Sequence, residues 1–133
     1  MRPTESKERT SCSMAKKQHI FNHIWLDWLK TNIYWIICSQ EEYKRRIKLE
    51  FGETCKLKKS VDGRFEVYTN GDRDIGVIWI KSPRDLRVVA HECFHAVHWI
   101  LADRSIKLSY DSDEAFSYLL EHLIGEILKL NKK

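Results

Sequence analysis

The chain is short of the features that would set it apart from an ordinary globular protein. It has no CxxC pair: its four cysteines, Cys12, Cys38, Cys55 and Cys93, are scattered along the sequence. A chain of this size can build a core without staples, so reduced thiols are expected rather than a disulfide framework. No run approaches eighteen uncharged apolar residues, and the N-terminal "MRPTESKERTSCSMAKKQ" has no apolar segment. Neither a membrane span nor a secretory signal is expected, and the chain reads as cytoplasmic. No internal repeat is visible, which removes solenoid architectures. Strong charge is also missing. A net charge of +4 is low for a nucleic-acid-binding domain and leaves only a weak preference for acidic partners.

What is present is apolar and aromatic. Hydrophobic residues make up 43% of the chain, and there are five each of Trp, Tyr and Phe, too much for a disordered protein. At 133 residues one domain is expected, burying roughly two-thirds of its unfolded surface. Residues 1–17 are polar, without a hydrophobic period, and read as a flexible arm; 18–133 read as the domain.

Along the domain, "HIFNHIWLDWLK" has an ambiguous period, with Thr31-Asn32 as a break after it. The uncharged β-branched and aromatic run 33–38 predicts a strand buried on both faces. A helix is expected next, capped by Ser39, with Glu41 and Glu42 in its first turn and Gly52 ending it. The turn signals Asp62-Gly63 and Asn70-Gly71 predict a three-stranded meander with strands near 55–61, 64–69 and 75–81. Pro83, with Ser82 as cap, predicts a helix over 83–103. A loop and a last helix, entered through Asp111 or Ser112, complete an α+β plan: a small twisted antiparallel or mixed sheet with packed helices.

The chemistry concentrates in "HECFHAVHW", residues 91–99. Residues four apart on a helix stand one turn above each other, so the imidazoles of His91 and His95 can share one tetrahedral metal ion. Glu92 projects beside that ion, where it can take a proton from metal-bound water. With six His and eleven Glu in the chain, an HExxH pattern arises by chance at about 2%. The motif is therefore suggestive and incomplete, because a catalytic zinc needs a third protein ligand. His98, one turn further on, reads as a solvent-facing or substrate-contacting residue, and Cys93 as a core residue on the other side of the helix.

With eighteen residues between it and His95, Glu114 stands in "DSDEAFSY", which opens a new helix. An HExxH followed at that interval by Asp-Glu-Ala-aromatic resembles the gluzincin group of zinc metallopeptidases, in the small form found in phage and bacterial genomes. The resemblance implies a zincin-like core in which His91, His95 and Glu114 hold Zn2+ and Glu92 is the general base, acting on an extended peptide or protein substrate. It further implies that an edge strand lies beside the active-site helix, a position "IGVIWIKS" would fill. The chain departs from the pattern in two places. It ends nineteen residues after Glu114, room for only the minimal core, and Tyr118 stands where thermolysin-like members carry an acidic residue.

Glu114 has a rival reading, since Asp111-x-x-Glu114 is also a capping-box pattern. Tyr110 and Tyr118 flank it as candidate donors to the oxyanion of a tetrahedral intermediate, or as packing residues. His122 is a candidate partner for the metal ligands or a surface residue. The alternatives to a peptidase of this kind are a repressor-cleaving HExxH protease and a non-catalytic interaction module. The basic runs "KRRIK" and "KLKK" read as solvated surfaces able to form a weak anion patch.

Overall fold

In the computed structural model, which describes residues 21–27 and 29–131, the chain is α+β. The expected arm at 1–17 lies outside the described residues. Strands β1 (Asn22–Leu26) and β2 (Thr31–Ile37) form a hairpin, followed by helix α1 (Gln40–Phe51). Strands β3 (Gly63–Asn70) and β4 (Arg73–Ile80) form a second hairpin, followed by helices α2 (Leu86–Ala102) and α3 (Asp113–Asn131). The four strands make one mixed sheet in the order β1-β2-β4-β3. Both hairpins are antiparallel, and β2 pairs with β4 in parallel, Ile33 opposite Gly76 through Ile37 opposite Ile80.

The two central strands explain the uncharged runs in the sequence. Side chains alternate across a strand, and here both faces are covered. From β2 and β4, Ile33, Trp35, Ile78 and Ile80 enter the core beneath α2 and α3. Ile36, Val77 and Trp79 enter the core beneath α1, with Tyr43 and Ile47. On that side Tyr43 stacks on Trp79 at 4.9 Å between centroids, and its hydroxyl meets that of Tyr68 at 2.9 Å. On the other side Phe116, Leu119, Leu123 and Ile127 of α3 close over Val97, Ile100 and Leu101 of α2.

Several local expectations hold for the reasons that suggested them. The Ser39 side chain accepts from the Glu42 N–H at 3.1 Å, and Gly52 ends α1 in the left-handed region, φ +71°. Gly71, φ +72°, turns the β3–β4 hairpin. Cys38, Cys55 and Cys93 are free thiols.

Five expectations require correction. The ambiguous segment resolves into β1 and a turn, and Thr31-Asn32 opens β2 rather than breaking the chain. Residues 55–61 form no strand. The buried Gln40 side chain donates to the carbonyls of Lys58 (3.0 Å) and Val61 (3.1 Å), diverting groups a ladder would need. Asp62-Gly63 is accordingly not a hairpin turn, and Gly63 is the first residue of β3. Helix α2 begins at Leu86, not at Pro83. Pro83 and Arg84 are taken up in a turn, and Asp85 caps the helix by accepting from the Val88 N–H. Finally, β4, the "IGVIWIKS" strand, lies inside the sheet, and the edge strand next to α2 is β3.

Candidate active site and metal centre

Helix α2 crosses the sheet with three distinct flanks, set by the advance of about 100° per residue. Val89, Cys93, Ala96, Val97 and Ile100 face the core. Val88, Glu92 and Trp99 face β3: a Cβ built on Gly63 would lie 2.4 Å from Val88 Cγ1 and 3.2 Å from Glu92 Cγ, and Trp99 meets Phe65 at 5.8 Å between ring centroids. Phe94 and His98 face α3, where both lie against Phe116, at 6.4 and 6.2 Å. His91 and His95 are left exposed between β3 and α3.

Their Nε2 atoms are 3.2 Å apart, with the rings nearly perpendicular at 80°. Two ligands at 2.0–2.1 Å from a tetrahedral zinc ion are separated by about 3.3 Å. The separation of the pair therefore matches an edge of a zinc coordination tetrahedron. With no metal, the same separation suits one imidazole N–H donating to the other ring. A thiolate ligand is not on offer: burial, aided by the Glu92 carboxylate, pushes the Cys93 thiol up to about 12.

Glu92 has an unusual environment. It and Gln40 are the two buried polar side chains of the described residues, and Glu92 is only 8% exposed. The Gln40 amide nitrogen makes two hydrogen bonds, whereas no hydrogen bond or ion pair of the Glu92 carboxylate is present among the described residues. The Glu92 stem is buried, while its carboxylate oxygens are not among the buried, partnerless polar atoms of the described residues and so remain open to solvent and to a ligand. Glu92 opens on a cleft of about 340 Å3, lined also by Ser60, Asp62, Gly63, Arg87, Val88 and His91. One metal-ligand histidine candidate and the candidate base thus share one cleft, beside the edge strand.

Comparisons with protein-family models, with curated proteins and with solved structures find no match for this chain. The reading of the site accordingly rests on its own geometry.

The remaining candidates are not gathered at the cleft. Glu114 is exposed in the first turn of α3, and among the described residues no set of three His, Cys, Asp or Glu side chains converges. Phe116 takes the face of α3 turned to α2, and Glu114, two residues earlier, lies roughly 200° around the helix from it. The capping-box role is not realised either. The Ser112 carbonyl accepts from the Phe116 N–H at 3.2 Å, and no hydrogen bond from Glu114 to a backbone N–H is present among the described residues. Tyr110 is 93% exposed in the loop before α3. Tyr118, 65% exposed, lines an apolar groove between α3 and the end of β1 together with His122 and Trp25. Neither tyrosine lines the cleft at His91 and Glu92.

Sequence reasoning missed the wall of the site. Gly63 lets β3 approach α2, and a glycine opening a strand is a signal of close backbone approach as well as of a turn. Arg87, one turn before His91 on the same helix, had no motif to announce it.

Proposed function

We propose that this protein is a small zinc-dependent metallopeptidase acting on an extended peptide or protein segment. The observation that carries the reading is the joint placement of two histidine nitrogens 3.2 Å apart and, in the same cleft as His91, the Glu92 carboxylate without a hydrogen-bond partner among the described residues. His91 and His95 would hold the ion, and Glu114, which now faces away from α2, would complete the set only after the first turn of α3 rotates towards them. A zinc ion so held supplies a Lewis acid for the scissile carbonyl and makes water nucleophilic near neutral pH. Glu92 takes the proton of the attacking water on a carboxylate oxygen and returns it to the departing amine. The substrate lies along β3, whose outer edge pairs with no strand of the described residues, so that main-chain hydrogen bonds hold it in register beside α2. Tyr110 and Tyr118 remain candidates for oxyanion donation, each needing a loop or side-chain movement to reach the cleft.

Elemental mass spectrometry on the untagged protein tests the metal. About one zinc per chain is expected, greatly weakened in His95→Ala and in Glu114→Ala. Loss in His95→Ala alone would leave the histidine pair in place and require a third ligand other than Glu114. No zinc in the wild type after reconstitution would end the peptidase reading. Cleavage of peptides, abolished by chelator and by Glu92→Gln, then separates a peptidase from a module that merely binds zinc.

A further inference from the structure

The cleft beside Glu92 is lined by Arg87 and by Ser60, and further cations lie close to both in the chain. On one side the 53–62 loop carries Lys58 and Lys59 immediately before Ser60, both exposed and without an ion pair among the described residues. This segment is built rather than loose: Gln40 donates to the carbonyls of Lys58 and Val61 from a buried position, and the Val61 N–H returns to Lys58 O at 3.0 Å. On the other side stand Arg84 and Arg87. Arg84 is exposed and has no ion pair among the described residues; the Arg87 side chain is 95% exposed, with Asp85 at 3.8 Å its ion-pair partner. Of the carboxylates lining the cleft, Asp62 is paired with Lys81 at 3.8 Å and Glu92 is buried.

The N-terminus of α2 has its carboxylate in the cap, Asp85, and no acidic residue follows in the first turn, which instead carries Arg87. Arg87 lines the cleft that holds His91 and Glu92, Lys59 adjoins its Ser60 in the chain, and an anionic occupant would pair with them. No aromatic residue lines the cleft on which a base could stack, whereas single-stranded nucleic acids are held by such stacking. An extended acidic peptide fits both the charge and the open β3 edge.

We infer that the cleft selects substrates carrying Asp or Glu close to the scissile bond, with Lys58, Lys59 and Arg87 as the selecting residues. This inference rests on the peptidase reading for its location and on the charge pattern for its content. The test uses the full zinc-loaded chain and three matched peptide sets sharing a neutral centre, flanked by Asp/Glu, by Asn/Gln or by Lys. Acidic peptides should be cleaved with kcat/KM about tenfold above the neutral set at low salt, the scale of two or three exposed ion pairs, and the advantage should shrink with added salt. The double reversal Lys59→Glu/Arg87→Glu should move the preference to the Lys-flanked set. In parallel, fluorescence anisotropy on Glu92→Gln measures binding without turnover. Cleavage without charge preference, or a preference that the double reversal leaves unmoved, overturns the inference and spares the peptidase. Acidic peptides that bind selectively but are never cut support the charge reading and sink the peptidase. Absence of both cutting and binding, or displacement of bound peptide by a short single-stranded oligonucleotide at lower concentration, overturns the inference.

Discussion

Replacing Gly63 with alanine should damage the site out of proportion to the one methyl group added. The new Cβ would stand 2.4 Å from Val88 Cγ1, 3.2 Å from the Trp79 carbonyl oxygen and 3.2 Å from Glu92 Cγ. Carbon atoms in ordinary contact are about 3.5–4.0 Å apart, so the overlap with Val88 exceeds an ångström. The Trp79 carbonyl belongs to the backbone of β4 and cannot retreat. The strain must therefore push Val88, and with it α2, away from β3. Overpacking of this kind costs about 1–3 kcal/mol, and for a chain of this length a 2 kcal/mol loss lowers Tm by roughly 8 °C. Urea and thermal melts of Gly63→Ala, Val88→Ala and the double variant measure it. Removing Val88 Cγ1 should relieve the clash, so the double variant should be at least about 1 kcal/mol more stable than the sum of the single effects predicts. Additive effects, or a Gly63→Ala protein that melts like the wild type, would mean that β3 does not form the wall against which Glu92 is held.

Gln40→Leu should cost about 1–3 kcal/mol, because it strands the Lys58 and Val61 carbonyls; hydrogen exchange should show the 53–62 loop opening before the sheet. Gly125→Ala, in a helix with nothing within 4 Å of the added Cβ, should stabilise the protein by about 0.5–1 kcal/mol in the same melts. Burial first, and the Glu42 carboxylate second, push the Cys38 thiol from 9.0 up to about 12. The folded state thus keeps a proton that the unfolded chain releases, and the stability this thiol confers is complete below about pH 9 and is lost as pH rises towards 12. Denaturation midpoints measured at pH 8, 9 and 10 should fall, and Cys38→Ala should flatten that fall.

Much of the helical framework was legible because its signals are local. Ser39, Gly52 and the apolar stripe of α1 act within a few residues of one another, and so do the two histidines of α2. The misreadings occurred where a distant group intervened. The 55–61 segment has strand-like composition, but its carbonyls are claimed by Gln40, some twenty residues earlier. Asp62-Gly63 carries the letters of a tight turn, yet the glycine is needed because another helix comes close. Nothing in "IGVIWIKS" tells which neighbours the strand before α2 will have; the uncharged run 75–80 is the available hint that it lies inside the sheet. Within the candidate site, His91, Glu92 and His95 were readable from spacing alone. The burial of Glu92 and the shape of the cleft were not, because both depend on β3.

The parallel seam between β2 and β4 gives the molecule an assembly order. Each hairpin closes over a few residues, while the seam joins segments more than forty residues apart and carries the larger loop-closure entropy. The candidate site divides by range as well. The histidine pair lies within one helix and exists as soon as α2 is wound. The wall beside Glu92 forms only when the β3–β4 hairpin has docked against the same helix. On the proposed reading, a nascent chain would present its pair of metal ligands before the cleft around Glu92 was complete.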